Sequence, residues 1–328
     1  MLSSLVSLLP VFLFLGALVF LDSYKLVPVR SILLTILIGC AVTIPPFLVR
    51  ELAFRHLPLD DDVYARYGAP VVEELFKSIY LVILMRRRRI GFVVDAAIYG
   101  FSIGAGFSFI ENLSYLQSLP GQHLLLWVAR GLGTAIMHGG TTAIFAIITK
   151  GLSDRAAAPK LAHALPGLAA AMFMHSFYNH LILSPLLPTA ILLVIFPIVF
   201  YESEKSTRKW LGIGLDTDIQ LLDMITGGNI VQTKIGQYFH TLQQQFQGET
   251  IADMICLVRL HTELAIRAKG VLMMRTAGFH APVGPEVKEK FDELKYLQKN
   301  IGKTGQLALA PVLHMTSRDL WQIYMLEG

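Results

Sequence analysis

Glu73 and Glu74 stand side by side, with Lys77 one turn further on, in Gly-Ala-Pro-Val-Val-Glu-Glu-Leu-Phe-Lys, residues 68–77. On a helix Glu73 and Lys77 are spaced i,i+4 and Glu74 and Lys77 i,i+3, so the ammonium can reach either carboxylate. With one carboxylate matched, the second remains available as a base that could activate a water molecule. Three later stretches carry further groups of this kind. Gly100-x-x-x-Gly104-x-Gly106-Phe107 leads to Glu111-Asn112; His138 lies in Met137-His138-Gly139-Gly140-Thr141; and His175-x-x-x-Asn179 puts two hydrogen-bonding groups on one helical face. Such a His/Asn pair can hold a developing oxyanion or bind the carbonyl of a neighbouring helix. Two histidines and a glutamate can also make a His₂-carboxylate zinc site.

The elements that must position these groups are apolar helices. The 328 residues are 54% hydrophobic and 16% charged, where soluble domains have about a quarter charged, and mean hydropathy is +0.55. The composition is that of an all-α polytopic membrane protein. Seven spans are expected, at residues 3–21, 27–49, 69–85, 91–115, 124–149, 161–181 and 185–201, each near the roughly 20 residues a helix needs to cross a bilayer. Residues 3–21 lack a basic leader and a small-x-small cleavage site, and read as an uncleaved first span. From Glu202 onward there are 14 basic and 14 acidic residues, so the whole excess of +4 lies in the membrane half. A basic excess confined there fits loops facing anionic lipid and gives no reason to expect a nucleic-acid partner. Residues 202–328 read as a small, mostly helical cytosolic domain of open role, with breaks at Gly227-Gly228 and Ala281-Pro282-Val283-Gly284-Pro285. Cys40 and Cys256 are the only cysteines, which leaves no disulfide framework and no thiolate zinc cluster.

Basic residues set the orientation. Arg86 to Arg89 separate spans three and four, Lys150 and Lys160 flank the loop after span five, and Lys205, Arg208 and Lys209 follow span seven. The positive-inside rule then puts the N-terminus outside and the C-terminal domain in the cytosol. Under that orientation Glu73 and Glu111 lie about four residues, and His175 about six, from the outer ends of their spans, within roughly 10 Å of the boundary. His138 is deeper, about 20 Å in, unless its helix begins nearer Arg130. Agreement in depth favours one shared site. Arg130 and Asp95 read as interfacial residues.

Each motif also has a plainer structural reading: ion pairs, small-residue stripes and lone histidines join helices in many membrane proteins. Their order, however, resembles the PrsW family of intramembrane peptidases, within the broader group that holds the type II CAAX prenyl endopeptidases and bacteriocin-processing enzymes. Glu73-Glu74-x-x-Lys77, Phe107-x-x-x-Glu111-Asn112, His138 and His175-x-x-x-Asn179 carry the likeness, over about residues 1–200. The resemblance implies hydrolysis of a peptide bond near the outer leaflet. Glu73 or Glu74 would activate water, with Glu73 preferred, and His138 and Glu111 would help hold it. His175 and Asn179 would stabilise the oxyanion, with Lys77 and Asn112 in support. The CAAX enzymes have a His where this chain has Glu111, so the partner that activates water does not carry over directly. A glutamic mechanism without a cofactor is the preferred expectation; the metal alternative would use His138, His175 and Glu73 or Glu111 around zinc. The implied substrate is a single-span membrane protein, such as an anti-sigma factor, in a bacterial inner membrane.

Two other functions remain compatible with buried charge. A proton-coupled transporter would favour inverted repeats and groups at mid-membrane, and no repeat is visible. A membrane sensor would use the polar groups only to join helices and would signal through the tail.

Overall fold

The computed structural model describes residues 2–155, 160–279, 284–313, 321–323 and 325–326. Ala281, Pro282 and Val283 of the expected tail break lie outside them. The described residues contain helices and no strand, and they form two compact units, Met1–Glu204 and Lys205–Gly328.

The first unit begins with α1 (Leu2–Leu21), α2 (Val29–Ala41) and α3 (Ile44–His56). The segment expected as one span over 27–49 falls on one apolar helical path, Val29–His56, broken by a two-residue turn at Val42-Thr43 between α2 and α3. Pro45 and Pro46 sit in the first turn of α3, where the missing N–H would have had no partner in any case. A single turn, α4 (Asp61–Val63), and a π-helical segment (Tyr64–Gly68) then lead without interruption into α5 (Ala69–Arg86). The polar stretch expected as a loop is thus helical, and Glu73 lies further along a continuous helical path than four residues. Asp60 caps its start, accepting a hydrogen bond from the Val63 amide.

Helix α6 (Val93–Ser118) is the centre of this unit and is buried without interruption from Val94 to Ser108. Two of its glycines explain why. A Cβ on Gly104 would lie 2.2 Å from the His138 carbonyl oxygen, and one on Gly106 would lie 2.1 Å from that of Ile36. Only glycine lets the two neighbouring backbones approach so closely. Helix α6 therefore packs on α2 on one side and on α8 (Ala135–Arg155) on the other. Helix α8 is preceded by α7 (Leu124–Val128) and a second π-helical segment, Ala129–Thr134. A short 3₁₀ turn (Leu161–Ala164) and α9 (Leu165–Asn179) follow, then the 40-residue α10 (Leu187–Thr226).

Among the described residues, five helical segments are long and apolar enough to cross a membrane: Leu2–Leu21, Val29–His56, Val93–Ser118, Leu124–Asp154 and Leu187–Thr226. The expected third and sixth spans are helical but do not meet that standard. Helix α5 carries Glu73, Glu74, Lys77 and Arg86 in its 18 residues, and α9 has only 15 residues. Asp95, read from the sequence as interfacial, lies in the first turn of α6. It is 1% exposed and caps α6, accepting hydrogen bonds from the Gly91 and Phe92 amides.

In the second unit α11 (Lys234–Leu242), α12 (Gly248–Thr276) and α13 (Pro285–Leu309) enclose a core that includes Met254, Val258, Leu264, Phe291 and Leu297. Lys269 pairs with Asp218 at 2.5 Å.

Candidate active site

Four helices of the first unit bring their polar groups to one point. Helix α5 supplies Glu73, Glu74 and Lys77, α6 supplies Glu111 and Asn112, α8 supplies His138 and Thr141, and α9 supplies His175. Lys77, Glu74, His138 and His175 are each 2% exposed or less.

Lys77 makes the choice that the spacing left open. Its Nζ donates to Glu74 Oε1 at 2.6 Å, not to Glu73, and lies 3.0 Å from Nδ1 of His138 and 4.6 Å from the Phe107 ring centre. Glu74 Oε1 also receives Thr141 Oγ1 at 3.2 Å and faces His175 Nδ1 at 2.8 Å. Every partner of Glu74 holds an element in place: it ties α5 to α8 and α9 and fixes the ring of His175. The carboxylate on His175 Nδ1 accepts that ring's N–H and leaves its Nε2 free, whereas the ammonium on His138 Nδ1 puts that ring's proton on Nε2, the nitrogen that faces Glu111. The two rings meet edge to face, with centres 4.8 Å apart.

Glu73 is different. Its Oε2 is buried without a hydrogen-bond partner and lies 3.9 Å from Nδ1 of His138, the nitrogen that also meets Lys77, and 3.9 Å from Nε2 of His175. Glu111 Oε2 lies 2.9 Å from His138 Nε2, but without hydrogen-bonding geometry, while Oε1 pairs with Arg130 at 3.2 Å. Arg130, expected only as an interfacial residue, therefore also joins the polar cluster. Its Nε donates to Asn112 Oδ1 at 2.9 Å, its guanidinium stacks 3.6 Å from the Tyr115 ring centre, and Asn112 donates in turn to the Ser7 carbonyl at 2.9 Å.

Asn179 stands outside the cluster. Its amide donates to the Ala65 carbonyl at 2.8 Å, so the group expected beside the oxyanion is instead joining α9 to the π-helical segment before α5. Residues that the sequence reading passed over are Arg130 and Thr141. Arg130 had a signal: three glutamates against one lysine leave a surplus of negative charge that a second buried cation would reduce. Thr141 had a weaker one, lying one turn from His138 on the same helix.

The donor set fits a metal ion. One donor atom each from Glu73, His138 and His175 lie within 4.8 Å of one another, and two carboxylate oxygens are buried with no donor to satisfy them. With neutral imidazoles the cluster holds three carboxylates and two cations, a net −1 that a cation would offset. The Nδ1 nitrogen of His175 is oriented by a carboxylate, the usual outer-shell arrangement for a ligating histidine.

Over residues 27–201, rather more than half the chain, the sequence matches the model of a family described as PrsW family intramembrane metalloprotease. The chain belongs to the PrsW family. All eight residues named above lie within the matched stretch, as does Arg130. Membership makes it a hydrolase of the intramembrane protease class and an integral membrane protein, and the family's description leans toward a metal where the sequence reading preferred a glutamic mechanism. No curated protein and no solved structure matches the chain.

Proposed function

We propose that the chain is a metal-dependent intramembrane endopeptidase whose active site is the Glu73/His138/His175 group with Glu111 beside it. The observation that carries this is Glu73 Oε2, a buried carboxylate oxygen with no donor, 3.9 Å from each of two imidazoles. Glu73, His138 and His175 would hold the ion. When bound, it would polarise the scissile carbonyl and make water a stronger nucleophile.

The chain's own residues do the rest. Glu111, adjacent to His138 and paired with Arg130, takes the proton of the attacking water as oxygen adds to the carbonyl carbon. It returns that proton to the amide nitrogen as the C–N bond breaks. Glu74 and Lys77 bind no substrate; they fix the two rings. Asn112, bonded to the Ser7 carbonyl, anchors Arg130 and through it Glu111.

This reading separates two glutamates that the sequence left interchangeable. Glu73→Gln should lose both metal and cleavage of a co-expressed single-span reporter. Glu111→Gln should keep the metal and lose turnover by about 10²–10⁴-fold, the usual contribution of a general base. Full cleavage by Glu73→Gln at normal protein level would overturn the assignment. By family likeness the substrate is a membrane-anchored protein such as an anti-sigma factor, cut near the outer face, with the N-terminus of the enzyme outside and residues 202–328 in the cytosol.

A further inference from the structure

Beside the cluster, α8, α9 and the beginning of α10 enclose an apolar cavity of about 160 Å³. Its inner wall is buried: Met137, Thr141 and Leu192 are each 4% exposed or less. Its mouth is open, with Phe177, Ile191 and Ile195 each at least 40% exposed on helices of membrane-crossing composition or beside one. The cavity is therefore open on the apolar outer surface of these helices at one end and closed at the other by residues that include Thr141.

The connection to the site is direct. Thr141 lines the cavity while its hydroxyl donates to Glu74 Oε1. Met137 and Met174, also in the lining, immediately precede His138 and His175. Successive residues of a helix point about 100° apart, so the cavity and the two imidazoles lie on adjoining faces of α8 and α9. Size limits the occupant. An apolar cavity of about 150 Å³ holds a benzene ring, so this one fits a single phenylalanine or leucine side chain. A lipid acyl chain needs a long groove, and this cavity ends against Thr141.

We propose that the cavity is the substrate side-chain pocket, which takes one large apolar residue next to the scissile bond of a membrane-spanning segment. This rests on the peptidase reading above. The pocket makes the enzyme select leucine, isoleucine, methionine or phenylalanine at one fixed position and admit the substrate laterally, past the exposed side chains of α9 and α10. Filling such a pocket against leaving it empty is worth roughly a tenfold to hundredfold difference in kcat/KM.

The test uses the full chain in lipid nanodiscs and a single-span reporter randomised over the residues around its outer membrane boundary. Cut sites are read by mass spectrometry. The wild type should enrich large apolar residues at one position relative to the cut. Ile191→Trp, which fills the cavity from its mouth, should shift that position to Ala, Gly and Ser, with a tenfold to hundredfold loss on Leu and Phe. Ile195→Ala should extend acceptance to larger rings. Both sites are exposed, so neither change threatens folding, and bound metal should be unchanged in both. Cleavage with the same preferences in wild type, Ile191→Trp and Ile195→Ala would overturn the pocket while leaving the peptidase standing. So would a co-purified phospholipid that Ile191→Trp displaces with no change in preference. No cleavage of any reporter by the wild type would overturn both readings together.

Discussion

Replacing Lys77 by Met keeps a long flexible side chain and removes one buried charge. Lys77 is fully buried, with its ammonium 2.6 Å from Glu74 Oε1 and 3.0 Å from His138 Nδ1. After the change Glu74 keeps Thr141 and His175 as partners, but the cluster goes from net −1 to net −2. Breaking a buried pair on one side costs about 3–5 kcal/mol, because the other charge stays buried and unmatched. For a unit of this size 1 kcal/mol moves Tm by about 2–4 °C, so the expected loss is roughly 6–20 °C. Glu74→Gln should cost a similar amount for the mirror reason. The double variant removes both charges, so it should be far less destabilised than the two losses added together, with a coupling of roughly 2–3 kcal/mol. Thermal unfolding of the four proteins in micelles measures the cycle. The same cycle built with Glu73→Gln should show a clearly smaller coupling, because Lys77 donates to Glu74 and not to Glu73. Additive losses for Lys77 and Glu74, or a larger coupling to Glu73, would refute the pairing and with it the division of labour between the two glutamates.

Other perturbations probe the remaining supports. Arg130→Met unpairs Glu111 and releases Asn112, and should lower activity or metal affinity by about 10–100-fold, as loss of an outer-shell partner does; Arg130→Lys should recover part of it in the same assay. Asn179→Ala should cost about 1 kcal/mol of stability, one hydrogen bond, and leave turnover within a few-fold of wild type, since its amide is held by Ala65. Gly104→Ala puts a methyl group against the His138 carbonyl and should destabilise by about 1–3 kcal/mol while displacing His138, so activity should fall further than stability. In the second unit, burial pushes the pKa of His261 from 6.5 down to about 4. The unfolded chain therefore takes up a proton more readily than the folded one. The unit is at full stability above pH 6.5 and loses about 3 kcal/mol as pH falls toward 4, at about 1.36 kcal/mol per unit. Hydrogen exchange of α12, corrected for intrinsic rate, should show that loss, and His261→Phe should abolish it.

The polar motifs stood out in the sequence because each ionisable group within an apolar helix carries a penalty of several kcal/mol. Their spacing along single helices was legible too, and so was convergence on one site. Which glutamate Lys77 would choose was not, because i,i+3 and i,i+4 are both within reach and Thr141 and His175, on other helices, tip the balance toward Glu74. The pairing of Arg130 with Glu111 and Asn112 was not legible because those partners come from a different helix. The helical paths carrying Glu73 and Glu111 run past their expected outer ends, from Asp61 and to Ser118, because polar residues at a span's end can extend a helix that hydropathy alone would stop. The two π-helical segments, Tyr64–Gly68 and Ala129–Thr134, have no periodic signal in the sequence; each precedes a helix that carries site residues, a common location for such segments. Asn179 shared a face with His175, as the spacing required, yet a backbone carbonyl from the first of those segments claimed its amide.

The central claim is that Glu73, His138 and His175 hold a metal on which peptide-bond cleavage depends. Its most direct measurement is cleavage of a single-span reporter by purified full-length protein as a chelator strips bound metal, with metal per chain counted at each step. The account predicts about one ion per chain in the untreated protein, activity falling in proportion to the ion lost, and recovery when the metal is restored. Full activity in protein with no metal bound would contradict it and return the reaction to the glutamates alone.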